Sequence, residues 1–511
     1  MKLITLLHLY QPHNQQFDIL DRIVNESYRP LTEGLLKVPN GKVVINISGA
    51  LTKLLIENNY QDVIDNIKKL ASNGQIEFTA SAMYHAFLPL LSELEIKRQI
   101  ELNNDINSRV FGKYYKPVGF FSPEMAVNKK VTDVVASLGY KWIAASELAS
   151  PNGSPDTKKL HKLDNGLSVF YRNKRVSSLM LSGVVRDPKQ LLKETEDLHQ
   201  DSDYFFVVMD AETFGHHRVG HEEFLLQLLD SNLINPTLPS ELLDSDMPVA
   251  TTKIRPSTWT NEEQDFWLDK KQSKKTEAKS FILWKDPDNP IHTLQWGLTD
   301  FVIDKVTSYS NKDEKKWKKS RALLDSALAS DQYWWASTKP WWSLELIEQG
   351  AFSLIEVVKL LFGEDSSQYS HVLDLYRAIL DQAFLWQRGG VIRKKHLDNS
   401  STYMKKSFKD RAPAEWYNQI VLEFEDQMKI ASVNNRFEEA IKWRDALLKL
   451  KGGTDIYDVL HVVDELWTAR NIPALKPFLD HDWNEISPFI RKFLRDVKTK
   501  EDFDLWKKNK L

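Results

Sequence analysis

The chain has 511 residues, of which 42% are apolar and 27% charged, and its formal net charge is −3. This balance argues against a globally basic nucleic-acid-binding protein, and the low counts of glycine (19) and proline (20) exclude collagen-like and low-complexity chains. Cysteine is absent, which excludes disulfide scaffolds, thiol nucleophiles and metal centres with cysteine ligands.

Short apolar runs alternate with amphipathic stretches along the first half of the chain. The runs predict strands at 2–7, 42–47, 75–79, 117–121, 141–145, 167–171 and 204–209. The stretches between them predict helices at 61–71, 91–107, 128–138 and 188–199. Strands that alternate with helices of this length indicate βαβ units and a parallel sheet. Seven or so such units favour an α/β fold with a TIM-like barrel over one with an open sheet.

The pattern changes after about residue 240, and long helical segments rich in Trp, Leu and Lys follow from 311 onward. We predict a barrel domain over 1–300, a helical region over 301–415 and a C-terminal helical unit over 416–511. A charged run at 262–280 predicts an exposed helix or loop. No run of about 18 apolar residues occurs and the first residues lack a signal-peptide core, so we expect no membrane span and a cytoplasmic location.

Polar side chains that follow predicted strands are candidate site residues, because functional groups of parallel α/β folds gather at the carboxyl ends of strands. A pair of carboxyls there suits glycoside hydrolysis, in which one acts as nucleophile or base and the other protonates the leaving oxygen. An acid in this position can instead cap the next helix. The candidates are His8, Tyr10, Gln11, His13, Asn46, Glu77, His85, Glu124, Asp210, Glu212, His216 and His217.

The histidines after the last predicted strand allow another interpretation. His216, His217 and His221 have the spacing of metal ligands beside Asp210, as in a metal-dependent deacetylase on a related barrel. The chain also contains 16 tryptophans, which a large aromatic core or a surface that stacks on sugar rings would explain. The Trp-rich run at 333–342 predicts a helical wall that is part core and part sugar platform.

Five ordered motifs in about the first 350 residues resemble glycoside hydrolase family 57, the second α-amylase family. They occupy 8–12 (HLYQP), 74–89 (from GQIEFT to HAFLP), 119–126 (GFFSPEMA), 210–217 (DAETFGHH) and 330–337 (SDQYWWAS). The chain departs from the family pattern at Phe120 and Phe121, where many members have Trp, and at Ala86, where Pro is common. The resemblance implies an incomplete (β/α)7 barrel followed by an α-helical region.

The resemblance also implies a retaining double displacement on α-linked glucans, without a cofactor or a metal. Glu124 matches the family nucleophile and Asp210 the acid/base, and both acids are present here. By the same resemblance, or as polar and aromatic neighbours in the motifs, the residues expected to bind substrate are His8, Tyr10, Gln11, Glu77, His85, His216, His217, Asp331 and Trp334.

The implied activity is that of an α-amylase or amylopullulanase. A 4-α-glucanotransferase and a glucan branching enzyme are alternatives within the family. A non-catalytic carbohydrate-binding protein and a metal-dependent carbohydrate deacetylase are alternatives of other classes.

Residues 428–450 resemble the UVR helical hairpin, with Met428, Phe437 and Arg444 at matching positions. In the proteins that carry this hairpin it mediates contact between proteins. The resemblance therefore implies a protein partner or self-association through 428–450.

Overall fold

The computed structural model of the chain describes residues 1–151, 153, 155–181, 185–260, 280–309, 313–339, 341–399, 414–452, 483 and 499–504. The charged segment predicted at 262–280 lies outside these residues except at its end, as does much of the predicted unit at 416–511. The chain divides into two units. The first comprises Met1–Thr213 and Glu223–Ser400, and the second comprises Phe214–Glu222 and Ser401–Leu511.

Ten strands in the described part of the chain form one sheet. Their bounds are β1 (Lys2–Leu9), β2 (Val43–Ile47), β3 (Ile76–Ala80), β4 (Gly119–Phe120), β5 (Trp142–Ser146), β6 (Leu160–Lys162), β7 (Ser168–Arg172), β8 (Tyr204–Asp210), β9 (Asn235–Pro236) and β10 (Val249–Thr251). Their order is β10-β6-β7-β5-β4-β3-β2-β1-β8, and β9 pairs with β1. The pairings are parallel, apart from the antiparallel pair β6–β7. The predicted α/β class and the seven predicted strands are confirmed.

The central strands are buried on both faces, which explains why they read as continuous apolar runs rather than alternating ones. β1 is buried at every position after Lys2, and all five residues of β2 are buried. The sheet path is open, because β8 and β10 form its ends among the described strands. The backbone N–H of Asn173 nevertheless donates to the carbonyl of Phe206 at 2.7 Å, so β7 and β8 lie side by side.

Helices connect the strands and follow the sheet. Their bounds are α1 (Phe17–Ile23), α2 (Arg29–Leu36), α3 (Gly49–Glu57), α4 (Gln61–Ser72), α5 (Glu93–Phe111), α6 (Lys129–Ser137), α7 (Lys174–Leu181), α8 (Pro188–Glu194), α9 (Glu196–His199), α10 (His221–Asp230), α11 (Pro239–Leu243), α12 (Pro290–Tyr309), α13 (Glu314–Ala327), α14 (Asp331–Trp334), α15 (Leu344–Phe362), α16 (Ser367–Arg388), α17 (Val391–Asn399), α18 (Ala414–Val433) and α19 (Phe437–Gly452). The predicted helices at 61–71, 91–107 and 128–138 are confirmed as α4, α5 and α6. The one predicted at 188–199 is divided into α8 and α9.

One hydrophobic core of the first unit joins the sheet to the long helices that follow it. It includes Val131 beside the strands, Trp284 in the connection and Ile355 on α15. The predicted domain boundary at 300 falls inside α12, and both sides of it contribute to this core.

A buried group of charges fixes the long helices against α5. Arg321 on α13 donates to both carboxyl oxygens of Glu95 on α5, at 2.7 and 2.6 Å. Asp325, one turn after Arg321, accepts from it at 3.0 and 2.8 Å. Asp325 also accepts two bonds of 2.6 Å from Arg98. Glu95, Arg321 and Asp325 are at most 4% exposed, so they carry charge inside the protein and depend on one another for it.

In the second unit, α18 and α19 form a helical hairpin that spans the 428–450 segment. Its core contains Phe424, Trp443 and Leu447, with smaller side chains between them. Asn435 takes the left-handed conformation (φ 57°) and the N–H of Arg436 donates to the carbonyl of Ala431 at 2.8 Å, which ends α18. None of the helices in the described ranges is long and apolar enough to cross a membrane.

We expect Arg321→Met to lower the free energy of unfolding by about 3–5 kcal/mol, because it leaves the buried carboxylate of Glu95 without its hydrogen-bonded cation, whereas Asp325 keeps Arg98. Chemical unfolding followed by circular dichroism measures the change. Arg109→Met is the matched control, since Arg109 is exposed on the same helix as Glu95. A loss no greater than that of the control would contradict the role given to the buried group.

Candidate active site

Polar side chains of four neighbouring strands lie in one layer at the carboxyl edge of the sheet. The register pairs His8 on β1 with Asn46 on β2 and with Asp210 on β8. It also pairs Asn46 with Thr79 on β3. Residues paired in this way point to the same face of a sheet. His8, Asn46, Thr79 and Asp210 therefore belong to one layer.

Hydrogen bonds within this layer set the proton position of His8. Asn46 Nδ2 donates to the hydroxyl of Thr79 at 2.8 Å, so its Oδ1 faces Nδ1 of His8 at 2.6 Å. Nδ1 must then carry the proton, and Nε2 is left as an acceptor. Burial lowers the pKa of His8 to about 4, against the opposing effect of the Asn46 bond. His8 is therefore neutral at pH 7.

Glu124 follows β4 in a tight turn with an unusual backbone. Its φ is +61°, in the left-handed region that non-glycine residues rarely occupy. Trp259 holds the residue from two sides. Its indole N–H donates to Glu124 Oε2 at 2.8 Å, and its backbone N–H donates to the Glu124 carbonyl at 3.1 Å. The carboxyl is thus fixed through one oxygen.

The strand before Glu124 packs very closely on β5. A Cβ at Gly119 would lie 2.0 Å from the ring of Trp142, so only glycine fits there. The indole of Trp142 donates to Glu77 Oε1 at 2.8 Å, and the N–H of Ser240 donates to Glu77 Oε2 at 3.1 Å. Glu77 pairs with Val44, two residues before Asn46. The structure therefore places Glu77 one layer below the edge of the sheet.

Asp210 ends β8 and lies beside a buried arginine. Arg172 ends β7, and its Nε donates to the carbonyl of Val208 at 3.0 Å. Its guanidinium carbon lies 5.7 Å from the ring centre of Trp259. Burial raises the pKa of Asp210 to about 6, and the charge of Arg172 opposes this rise.

A second carboxyl, that of Glu212, lies just past Asp210. Tyr28 donates its hydroxyl to Glu212, and Gln11 Nε2 donates to the same oxygen at 3.0 Å. Tyr28 reaches it from a five-residue π-helix at Val24–Tyr28, a rare element that often occurs at functional sites. Burial, then the charge of Asp210, raises the pKa of Glu212 to about 8.

Three further residues complete the site from the first, second and fifth motifs. His85 stacks on Tyr10 with ring centres 4.0 Å apart, and its Nδ1 lies 4.0 Å from Glu124 Oε1 and 3.2 Å from the hydroxyl of Ser330. Tyr10 donates to Asp331 Oδ2 at 2.7 Å. His85 also has a positive φ of 55°, so strained backbone occurs on both sides of its contact with Glu124.

The site contains buried carboxyls that repel one another. Burial raises the pKa of Glu124 to about 8, the bond from Trp259 lowers it, and the charges of Asp210 and Asp331 raise it further. Burial likewise raises the pKa of Asp331. In His85, burial and then the neighbouring imidazole of His8 lower the pKa, so the ring is neutral. The site therefore holds protons on carboxyls at neutral pH and carries its histidines uncharged.

Three predicted site residues remain to be described, namely Trp334, His216 and His217. Trp334 packs its ring on Trp341 at 4.5 Å and against Trp335 at 5.1 Å. His216 and His217 belong to the second unit, where their ring centres are 5.0 Å apart. Over the described residues, no group of three or more His, Asp or Glu side chains could hold a metal ion.

Sequence reasoning missed three residues of the site. Trp259 and Tyr28 carry no local signal, because each reaches the site from a segment with no predicted role. Arg172 does carry a local signal, because it directly follows the predicted strand at 167–171. Its position at a strand end is the same kind of position that marks the other candidates. Asn46 and Glu212 were among the strand-end candidates, although no role was assigned to them.

These features define an α/β protein with a cluster of buried carboxyls at the carboxyl edge of a parallel sheet. Comparison with protein families adds the particular family. Residues 5–250 match the family model described as glycosyl hydrolase family 57. The sequence of this part of the chain thus matches that family, and the predicted resemblance is confirmed at this level.

The similar proteins are named as alpha-amylases, 4-alpha-glucanotransferases and a branching enzyme. An alpha-amylase from Pyrococcus horikoshii is 24% identical over 47% of this chain and 40% of its own length. A 4-alpha-glucanotransferase from Thermococcus kodakarensis is 30% identical over 47% of this chain and 39% of its own. The crystal structure of a GH57-type branching enzyme from P. horikoshii has a TM-score of 0.58 at 16% identity, covering 76% of this chain and 95% of that one. The chain thus spans about two fifths of the length of these curated relatives.

We expect the unfolding free energy of the Glu124→Gln variant to rise, relative to that of the unchanged protein, as pH rises. The folded-state pKa of Glu124 is raised above its unfolded value, so the stability it contributes is present below about pH 4.5 and is lost as pH rises through about 8. At about 1.4 kcal/mol per pKa unit, the difference in unfolding free energy between the variant and the unchanged protein should increase by about 3–5 kcal/mol from pH 5 to pH 9. Unfolding free energies at both pH values test this, with exposed Glu101→Gln as the control. A difference in unfolding free energy that does not increase with pH would contradict the buried, protonated state of Glu124.

Proposed function

We propose that the protein is a retaining glycoside hydrolase or transglycosylase that acts on α-linked glucans. Glu124 is the nucleophile and Asp210 the acid/base. The observation that carries this proposal is the pair of buried carboxyls at strand ends, close enough for the charge of Asp210 to raise the pKa of Glu124. The family of residues 5–250 and the names of the similar proteins support the substrate class.

The reaction requires an ionised Glu124 and a protonated Asp210. In the empty site the higher pKa, about 8, belongs to Glu124, and that of Asp210 is about 6. Moving one proton from Glu124 to Asp210 therefore costs free energy, because the Glu124 carboxyl binds the proton more tightly. Positive charge that develops on the sugar ring in the oxocarbenium-like transition state stabilises the Glu124 anion and offsets this cost. Loss of the Glu124 proton in turn raises the pKa of Asp210, since like charges disfavour ionisation.

Neutral histidines and a tyrosine–carboxylate pair are suited to hold the sugar. The Nε2 atom of His85 is buried and has no hydrogen-bond partner among the described residues. A buried polar atom without a partner is costly unless a ligand satisfies it. His85 therefore binds a sugar hydroxyl beside Glu124, and His8 Nε2 and the Tyr10–Asp331 pair bind neighbouring hydroxyls.

We also propose that seven of the strands form an incomplete (β/α)7 barrel. The strands are β8, β1, β2, β3, β4, β5 and β7 in sheet order. The hydrogen bond between Asn173 and Phe206, from the end of β7 to β8, supports curling of the sheet between its two ends. The Arg172–Val208 contact crosses the same gap.

The helical hairpin of the second unit is proposed to make a protein contact. Several large apolar side chains on it are exposed, including Val433 at 81%, Leu448 at 62% and Phe437 at 60%. Large apolar side chains exposed on one element are a feature of interaction surfaces. A second copy of the chain is the first partner to test, by sedimentation of the protein and of a Val433→Ser/Leu448→Ser double variant.

We expect Glu124→Gln and Asp210→Asn each to lower kcat/KM on maltooligosaccharides by about 10³-fold or more, as losses of groups that act in the transition state do. Azide should restore turnover of Asp210→Asn on a substrate with a good leaving group, because azide needs no general base. Exposed Glu101→Gln is the control. Near-normal rates in either carboxyl variant would overturn the proposed function.

We expect the first product released from an α-glucan to have the α configuration, as double displacement requires. Proton NMR of the anomeric signal during early turnover measures it. Chromatography of the same samples separates hydrolysis, which gives shorter chains alone, from transfer, which also gives longer ones. A β-configured first product would exclude the retaining mechanism.

A further inference from the structure

Arg172 occupies a fixed position between two strands of the site. It pairs with Ser146 on β5, and its Nε donates to the carbonyl of Val208 on β8 at 3.0 Å. Val208 lies two residues before Asp210 on the same strand. The side chain is 7% exposed, so its planar head is held on the backbone that carries Asp210.

The same guanidinium contacts the residue that holds Glu124. Its carbon lies 5.7 Å from the ring centre of Trp259, within the range of a cation–π contact. The indole N–H of Trp259 donates to Glu124 Oε2 at 2.8 Å. A continuous series of contacts thus runs from the strand of Asp210 through Arg172 and Trp259 to Glu124.

Two carboxyls face Arg172, and both matter for its charge. They are Glu147, which follows β5, and Asp210, and the charge of each acts on the guanidinium. Glu147 is buried and also faces Lys174, so it has a second cation. The other titratable groups that face Asp210 are Glu124, Glu212 and Tyr28. Among these groups Arg172 is the cation that faces Asp210.

We propose that Arg172 is a positioning residue that orients Asp210 for proton transfer and, through the ring of Trp259, keeps Glu124 aligned with it. This inference rests on the proposed function. The effect of Arg172 passes mainly through Asp210, and Asp210 matters in the first step only when the leaving group needs a proton.

The test compares two substrates whose leaving groups differ. A maltooligosaccharide needs its leaving oxygen protonated, whereas fluoride leaves α-maltosyl fluoride without a proton. In both, Glu124 attacks the anomeric carbon, the bond to the leaving group breaks with its electron pair, and a glycosyl ester forms. The ratio kcat/KM reports this first step, so the later need for a base does not enter it.

We expect Arg172→Met to lose at least about tenfold more kcat/KM on the maltooligosaccharide than on the fluoride. Arg172→Lys should show the same bias with a smaller loss, because it keeps the charge but not the planar contact with Trp259. Trp259→Phe keeps a ring beside Arg172 and removes the donor to Glu124. The Trp259→Phe variant should lose kcat/KM equally on the two substrates, because the reaction of both needs Glu124.

Equal losses on both substrates in the two Arg172 variants would overturn the positioning role and indicate a merely structural one. Thermal melts establish that the variants are folded, and Arg172→Lys keeps the test valid if Arg172→Met does not fold. Arg109→Met, on the exposed face of α5, is the matched arginine control. Failure of the proposed function is distinct, because Glu124→Gln would then still turn over both substrates.

Discussion

The ion group of Glu95, Arg321 and Asp325 is the contact on which the geometry of the site depends. It joins α5, which follows β3, to α13, which leads directly into Ser330 and Asp331. Gln99, one turn after Glu95, adds a bond of 2.8 Å to the backbone of Asp325. The attraction within a buried ion pair offsets little more than the free energy that its own desolvation costs. The main effect of such a pair is therefore to select one arrangement of the elements that carry it. Here that arrangement brings Asp331 to Tyr10 and Ser330 to His85.

The other parts of the site reach it from separate segments, each by its own contact. The backbone of Trp259 binds the turn of Glu124, and the π-helix at Val24–Tyr28 binds Glu212. The strand register alone aligns His8 and Asp210. Because these groups are buried, their interactions are stronger than they would be in water, and the same burial raises the pKa of every carboxyl in the cluster.

Much of the fold and part of the site could be predicted from the sequence. Strands buried on both faces are continuous apolar runs, so β1, β2 and β8 were visible as such, and acids at strand ends pointed to Glu124 and Asp210. The layer in which a residue lies was not visible: Glu77 is in a strand, yet register places it two residues before the edge. Contacts over more than a hundred residues were also hidden, as with Trp259 on Glu124, because neither segment carries a local trace of its partner.

The left-handed backbone of Glu124 limits what could replace it. Among non-glycine residues, Asn and Asp tolerate this conformation best, so backbone preference alone would favour the shorter acid. Glutamate keeps its place at a conformational cost, which indicates that the extra methylene is needed to bring the carboxyl to Trp259 and His85. Stability and reach therefore oppose each other at this one position. A library selected for thermal tolerance alone would favour Glu124→Asp, and it would gain that tolerance by giving up the contacts of the carboxyl with Trp259 and His85.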